Sequence, residues 1–254
     1  MVELKSRTGI ARMRAAGRIV ARALDEVRAH AAPGVRVRDL DGIAAKVIAD
    51  AGADPLFLGH RSGPGHPPFP ATICASVNDA VVHGVPTGRH LADGDVVSID
   101  CGARLHGWCA DAAITFTVGT PDPADEALID ATRRALEAGI AAARAGARLG
   151  DIGHAIAGVA RGEGYGMTAD HGGHGIGRIM HEAPHVANEG PAGRGMPLRA
   201  GLVLAVEPIL TRGGDGYLLA GDGWTVHTAD GSRAAHIEHT VAITEEGPRV
   251  LTAL

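Results

Sequence analysis

Two acidic segments in the first half of this chain have counterparts in the second, and four carboxylates must therefore be housed together or kept apart. Residues 94–100 read G-D-V-V-S-I-D and residues 201–207 read G-L-V-L-A-V-E, both fitting glycine, any, Val, any, any, Ile or Val, acid. Residues 111–117 (D-A-A-I-T-F-T) and 238–244 (E-H-T-V-A-I-T) match again, with an acid followed at fixed offsets by apolar residues and Thr. Two matches in the same order indicate an internal duplication. Its halves are roughly 1–120 and 121–254, with the Pro-rich stretch from Thr120 to Pro123 as the seam.

Side chains of an extended segment alternate faces. Asp111 thus shares a face with Ala113, Thr115 and Thr117, against Ile114, Phe116 and Val118. Asp100 groups with Ser98, opposite Val97, Ile99 and Cys101, and Glu238 groups with His236 and Thr240, opposite Ile237, Val241 and Ile243. The segment ending in Glu207 is apolar on both faces and says less. Apolar faces seek helices, so the acids look the other way and converge if the halves face each other.

Four unpaired carboxylates that close together repel, and some are forced to take up protons at neutral pH. Two divalent cations cancel the formal charge. The mostly oxygen donor set argues against a structural thiolate zinc site, and a nitrogen donor favours a transition metal over calcium or magnesium. His174, within G-H-G-I-G-R at residues 173–178, is the best nitrogen candidate, because glycines let the backbone turn tightly and bring an imidazole into a crowded site.

With C-A-S-V-N-D-A-V-V-H-G from Cys74, S-I-D-C-G from Ser98, G-H-G-I-G-R followed by M-H-E-A-P, A-V-E-P from Ala205 and H-I-E-H-T from His236, the chain resembles the type I methionine aminopeptidases over nearly its whole length. That resemblance implies an α+β pita-bread fold of two pseudo-symmetric halves, a single catalytic domain over 1–254. An antiparallel sheet carries helices on its outer face and the metal site on its inner face. It implies the ligands Asp100, Asp111, His174, Glu207 and Glu238 for two ions (Co, Mn, Fe or Zn), with Asp111 and Glu238 bridging. Glu207 would also serve as general base and proton shuttle in hydrolysis by a metal-activated hydroxide, His181 as hydrogen-bond donor to the oxyanion, and His83 as a contact to the scissile amide. A pocket for the first side chain would be lined by Phe69, Cys74, Met180 and Trp224, with His60 or a neighbour where the family often has tyrosine. The implied reaction is removal of an N-terminal methionine, preferably before a small second residue. The partner is a peptide or nascent-protein N-terminus, with ribosome docking left open and a monomer expected. A proline-specific peptidase of the same fold and a binding module without catalysis are the rivals.

The remaining features set bounds. Of the 14 histidines, His30, His60, His66, His90, His106, His154 and His227 read as surface or hydrogen-bonded residues, and His171 and His185 stay undecided. A net charge of −5 with 24 dispersed Lys and Arg gives no nucleic-acid surface. Three cysteines argue against a disulfide framework and fit a reducing cytosol. The amino terminus has no signal-peptide pattern, no apolar run approaches the roughly 20 residues of a membrane span, and an extra amino-terminal zinc region is not expected. A cytoplasmic enzyme is expected. Periodicity predicts helices over 8–31, 38–51, 123–145 and 149–162, a Gly- and Pro-rich loop over 59–70, and strands near 71–77, 95–104, 109–118, 202–211, 224–228 and 234–244.

Overall fold

The computed structural model describes residues 2–168 and 170–254. Helix α1 (Arg7–His30) begins where the Ser6 hydroxyl accepts a hydrogen bond from the Gly9 N–H, and it buries Ile10, Met13, Val20, Leu24 and Val27 along one stripe. After the break at Pro33 and Gly34 comes α2 (Val37–Asp50), with Leu40, Ala44 and Ile48 turned inward. Strands β1 (Asp54–Pro55), β2 (Ile73–Val77), β3 (Ala80–Val82), β4 (Asp95–Leu105) and β5 (Trp108–Val118) complete the first half.

Asp122 caps α3 (Pro123–Ala142), with Pro at its first position where the missing N–H costs nothing. This helix stops three residues before the predicted 145. The alanines there would allow it to continue, but Gly146 takes a left-handed φ of 90° and donates its N–H to the Leu198 carbonyl. Next come α4 (Leu149–Gly162), β6 (Gly166–Met167), β7 (Gly172–Gly175), β8 (Glu182–Ala187), β9 (Val203–Val206), β10 (Ile209–Thr211), β11 (Tyr217–Leu219), β12 (Val226–Thr228), β13 (Ala234–His236), β14 (Glu238–Thr244) and β15 (Gly247–Val250).

The main sheet runs β1-β4-β5-β14-β9-β7-β8, with β2 on β4 and β15 on β14, and its pairings are antiparallel. The predicted strand near 202–211 is really two strands. β9 belongs to the main sheet and β10 to a small sheet ordered β13-β10-β6, and the chain changes sheets at Glu207 and Pro208, where Pro has no N–H for a ladder. The predicted strand near 234–244 breaks the same way at Ile237, β13 going to the small sheet and β14 to the main one.

One core lies between α1, α2 and the apolar faces of β2, β4 and β5, including Val97, Ile99, Phe116 and Val118. Another lies between α3, α4 and β9, β10 and β14, including Leu204, Val206, Val241 and Ile243. Both use the faces that alternation assigned to helices, so the acids face away from them. Residues 59–70 hold no helix or strand. The loop is closed at its base by hydrogen bonds from the Gly59 N–H to the Phe69 carbonyl and from the Phe69 N–H to the His60 carbonyl.

Candidate active site

Five consecutive strands of the main sheet each bring one of the expected ligands to the same place. Asp100 on β4 lies opposite Ala113 of β5, and Glu238 on β14 lies opposite Ala113 from the other side. Asp111 sits two residues along β5 on that same face, a diagonal neighbour of Asp100. Glu207 follows the last residue of β9, whose Val206 pairs with His239 of β14, and His174 is on β7 beside β9. The small side chain of Ala113 leaves the space between the two flanking acids open.

Main-chain clamps hold these strands in register. The Thr240 hydroxyl accepts from the Asp111 N–H (3.0 Å) and donates to the Asp111 carbonyl (2.7 Å). The Thr115 hydroxyl meets Ser98 Oγ at 2.8 Å and donates to the His236 carbonyl at 2.6 Å. The hydroxyls that alternation placed beside the acids thus tie the first half's strands to the second half's, each bond worth about 1 kcal/mol.

His174 Nδ1 lies 2.9 Å from the Gly175 carbonyl, which can only accept, so Nδ1 carries the proton. Its Nε2 is left with a lone pair, 3.7 Å from Glu207 Oε1 and 4.0 Å from Asp111 Oδ2. The glycines flanking His174 act differently from the expected tight turn. Neither has a positive φ, and β7 is an extended strand held close to its neighbours. A Cβ on Gly173 would stand 2.1 Å from the Ala205 carbonyl oxygen, and one on Gly175 2.3 Å from that of Ala183. Gly173→Ala is therefore expected to push β7 off β9 and cost about 1–3 kcal/mol or more, seen as a lower melting temperature than the native chain's.

The electrostatics are those of an overcrowded acid cluster. Burial, then the charge of Glu207, raises Asp111 from 3.8 to about 8. Burial, then Asp111 and Glu207, pushes Asp100 and Glu238 well above the usual carboxylate range. Burial acts on Glu207 too, but the imidazoles of His236, His174 and His83 outweigh it and hold this carboxyl below its ordinary value. Asp100 Oδ1, Asp111 Oδ1 and Glu238 Oε1 are buried without a hydrogen-bond partner. Buried acceptor oxygens with no donor beside imidazole nitrogens fit divalent cations, which would satisfy the oxygens and cancel their charge. Asp111, His174 and Glu238 each place a ligand atom within 4.8 Å of the others, as do Glu207, His236 and Glu238.

These acids form the floor of a cavity of about 280 Å³, and every residue expected at the site lines it. One wall is apolar, where Phe57, Phe69, Ala71, Cys74, Met180 and Trp224 pack together, with Phe69 edge-on to Trp224 at 5.2 Å. His83 and His181 present open rings to the cavity while standing deep among protein atoms. That depth, followed for His83 by His171 and for His181 by His174 and His60, lowers each to about 4 and keeps both neutral at pH 7. The His181 ring is 4.4 Å from that of His174.

Two residues, Phe57 and His236, belong to the site that sequence reasoning did not put there, and a third, His60, is placed there only as one option for the pocket. His60, read with the ordinary surface histidines apart from its pocket alignment, lines the cavity 5.4 Å from His181. Phe57 closes the apolar wall. His236 was grouped with Glu238 by alternation but given no role; its Nε2 lies 3.5 Å from Glu207 Oε2. The undecided His171 has its ring 6.1 Å from that of His83. His66, expected as a surface or hydrogen-bonded residue, packs edge-on to Trp224 at 4.5 Å.

A match to the model of metallopeptidase family M24 spans residues 11–245. The chain belongs to metallopeptidase family M24. It is 56% identical over 247 residues to methionine aminopeptidase 1 of Mycobacterium tuberculosis, covering 94% of this chain and 91% of that one. The crystal structure of methionine aminopeptidase from Thermotoga maritima matches with a TM-score of 0.94 at 39% identity, covering all of both chains. Prolidase from Pyrococcus furiosus has the same fold, with a TM-score of 0.80 at 23% identity, covering 99% of this chain and 65% of that one. The pita-bread fold expected from the motifs is therefore the fold of this M24 chain. Among the described residues no helix is long and apolar enough to cross a membrane.

Proposed function

We propose that this M24 chain removes the N-terminal methionine from peptides and nascent proteins, preferably where a small residue follows, with Asp100, Asp111, His174, Glu207 and Glu238 holding two divalent cations. The observation that carries the reading is the convergence of one such residue from each of five adjacent strands onto the floor of a cavity with a sulfur- and aromatic-lined wall. Bound divalent cations supply a Lewis acid for the carbonyl and make water a nucleophile at neutral pH.

The chain's own residues do the rest. Met180, Cys74, Phe69 and Trp224 receive the first side chain, and a thioether suits them because sulfur and aromatic rings attract. One methylene more or less in such a pocket changes binding by about 1–3 kcal/mol, so apolar side chains of other lengths are disfavoured without being excluded. Glu207, kept ionised by the imidazoles around it, takes up the proton released on attack and returns it to the leaving amine. Neutral His181 donates a hydrogen bond to the carbonyl oxygen as negative charge builds on it. His83, whose backbone is held in the left-handed region at φ 57°, meets the scissile amide. That conformation costs about 1–3 kcal/mol and persists only where the surroundings enforce it.

Hydrolysis after metal loading tests the reading. Release of methionine from Met-Ala-Ser, with little release from Ala-Pro or Leu-Ala peptides, is the expected outcome. Cleavage of Xaa-Pro peptides without methionine release would assign the site to proline-specific hydrolysis, and an inert protein loaded with Mn, Fe or Co would make it a binding module. His181→Ala is expected to lower kcat on the order of 100-fold while leaving the metal content unchanged, as for loss of one oxyanion donor.

A further inference from the structure

His236 lies outside the ligand set carried over from the motifs, yet it faces the same cluster. Its side chain is buried, and Nε2 has no hydrogen-bond partner. That nitrogen lies 3.5 Å from Glu207 Oε2 and 3.9 Å from Glu238 Oε2. Glu207, His236 and Glu238 form one compact triplet of ligand atoms and Asp111, His174 and Glu238 another. Glu238 is common to both, and His174 Nε2 also stands 3.7 Å from Glu207 Oε1, so two imidazoles flank the Glu207–Glu238 end of the cluster while Asp100 lies at the other.

The main chain fixes where this ring points. The His236 N–H donates to Thr115 Oγ1 (3.0 Å) and Ser98 Oγ (3.3 Å), and its carbonyl accepts from the Thr115 hydroxyl. Ile237, at the break between β13 and β14, packs against the second hydrophobic core, while Glu238 lines the cavity and His236 is buried beside it among the acids. No hydrogen-bond partner among the described residues reaches Nε2, and two carboxylate oxygens within 4 Å of it are suited to sharing a cation.

We propose that His236 is a metal ligand, coordinating through Nε2 and adding a second nitrogen donor, beside His174, to the ion held at Glu207 and Glu238. The proposal rests on the reading of the acid cluster as a two-ion centre. A site with two imidazole donors leans toward later transition metals such as Co and Zn and away from Mg, which prefers oxygen. Removing a plain hydrogen-bond partner of Glu207 would also weaken ion binding, by about 10–100-fold, so the number of metal-bound imidazoles, and not affinity alone, sets the two roles apart.

The test uses the full-length chain, His236→Gln and His236→Ala, stripped of metal and titrated calorimetrically with Co2+, with thermal melts of the metal-free proteins as the check on folding. Proton NMR of the Co2+-loaded proteins counts the imidazoles whose signals are paramagnetically shifted. The native chain is expected to bind two ions and show two shifted imidazoles. Each variant should keep one site near its native Kd, weaken the other about tenfold or more, and lose one imidazole set. Variants that bind both ions within twofold of native overturn the proposal, as does a native chain with one shifted imidazole. A native chain that takes up no Co2+ overturns the metal-centre reading along with it. Should both substitutions unfold the protein, the native imidazole count decides alone.

Discussion

Asp111→Asn is expected to abolish turnover, by on the order of a thousandfold or more, about 4 kcal/mol of transition-state stabilisation, and at the same time to make the metal-free protein more stable at pH 8. The two effects share one cause. Asp111 occupies the middle of the cluster, on the same face as Asp100, opposite the strand of Glu238 and 4.0 Å from the nitrogen of His174. Its Oδ1 is buried with no donor, and burial with the charge of Glu207 pushes its carboxyl up to about 8. The amide keeps the shape but turns one oxygen into an N–H donor that faces a cation unfavourably. In the metal-free protein the same change removes a charge that its surroundings resist, and gives Asp100 a donor. Peptide hydrolysis, Co2+ binding and metal-free melting curves check this together. Lost activity accompanied by a lower metal-free melting temperature would mean that Asp111 holds the fold and not the ions.

How far the sequence could lead to this cluster varies with the strand. Around the acids of β4, β5 and β14 polar and apolar residue types alternate even though both faces are buried, so Asp100, Asp111 and Glu238 can be turned away from the helices from sequence alone. The strand before Glu207 is buried on both faces, and its acid is placed by the break at Pro208 where β9 leaves the main sheet, a tertiary event that periodicity does not record. β7 and β8 went unpredicted because G-G-H-G and E-A-P-H-V-A lack the β-branched runs of ordinary strands. β7 is extended because its glycines allow backbones on both sides to come within the reach of a missing Cβ. His236 carried a usable signal, its two-residue spacing from Glu238, but spacing alone could not separate a ligand from a buried polar neighbour. His60 carried none beyond its alignment with a pocket position, since the loop of residues 59–70 brings it to the cavity through irregular backbone bonds. The helices were read to within a residue except where Gly146 ends α3, again through a long-range bond.

Metal removal should reverse the ordinary relation between stability and pH. A carboxyl whose pKa is higher folded than unfolded contributes stability that is complete below the unfolded value and is lost as pH rises through the folded one. For Asp111 that window runs from 3.8 to about 8, and Asp100 and Glu238 are shifted in the same direction. Groups shifted the other way work in the opposite sense, but lower on the scale. His83 and His181, lowered to about 4 from 6.5, favour the folded state as pH rises only up to their unfolded value, and Asp230, at about 2, has finished titrating. Above pH 7 the acid cluster therefore acts with little opposition. The melting temperature of the chelator-treated protein is expected to fall between pH 7 and 8.5, by about 2–4 °C for each kcal/mol lost in a chain of this size. Saturating Co2+ or Mn2+ should abolish or invert that slope, because cations compete with protons for the same oxygens and bind more tightly as the protons leave. Asp111→Asn should flatten it without metal. A chelated native protein whose melting temperature stays level or climbs across this range would mean that its carboxylates are already compensated within the protein, with no electrostatic need for the ions.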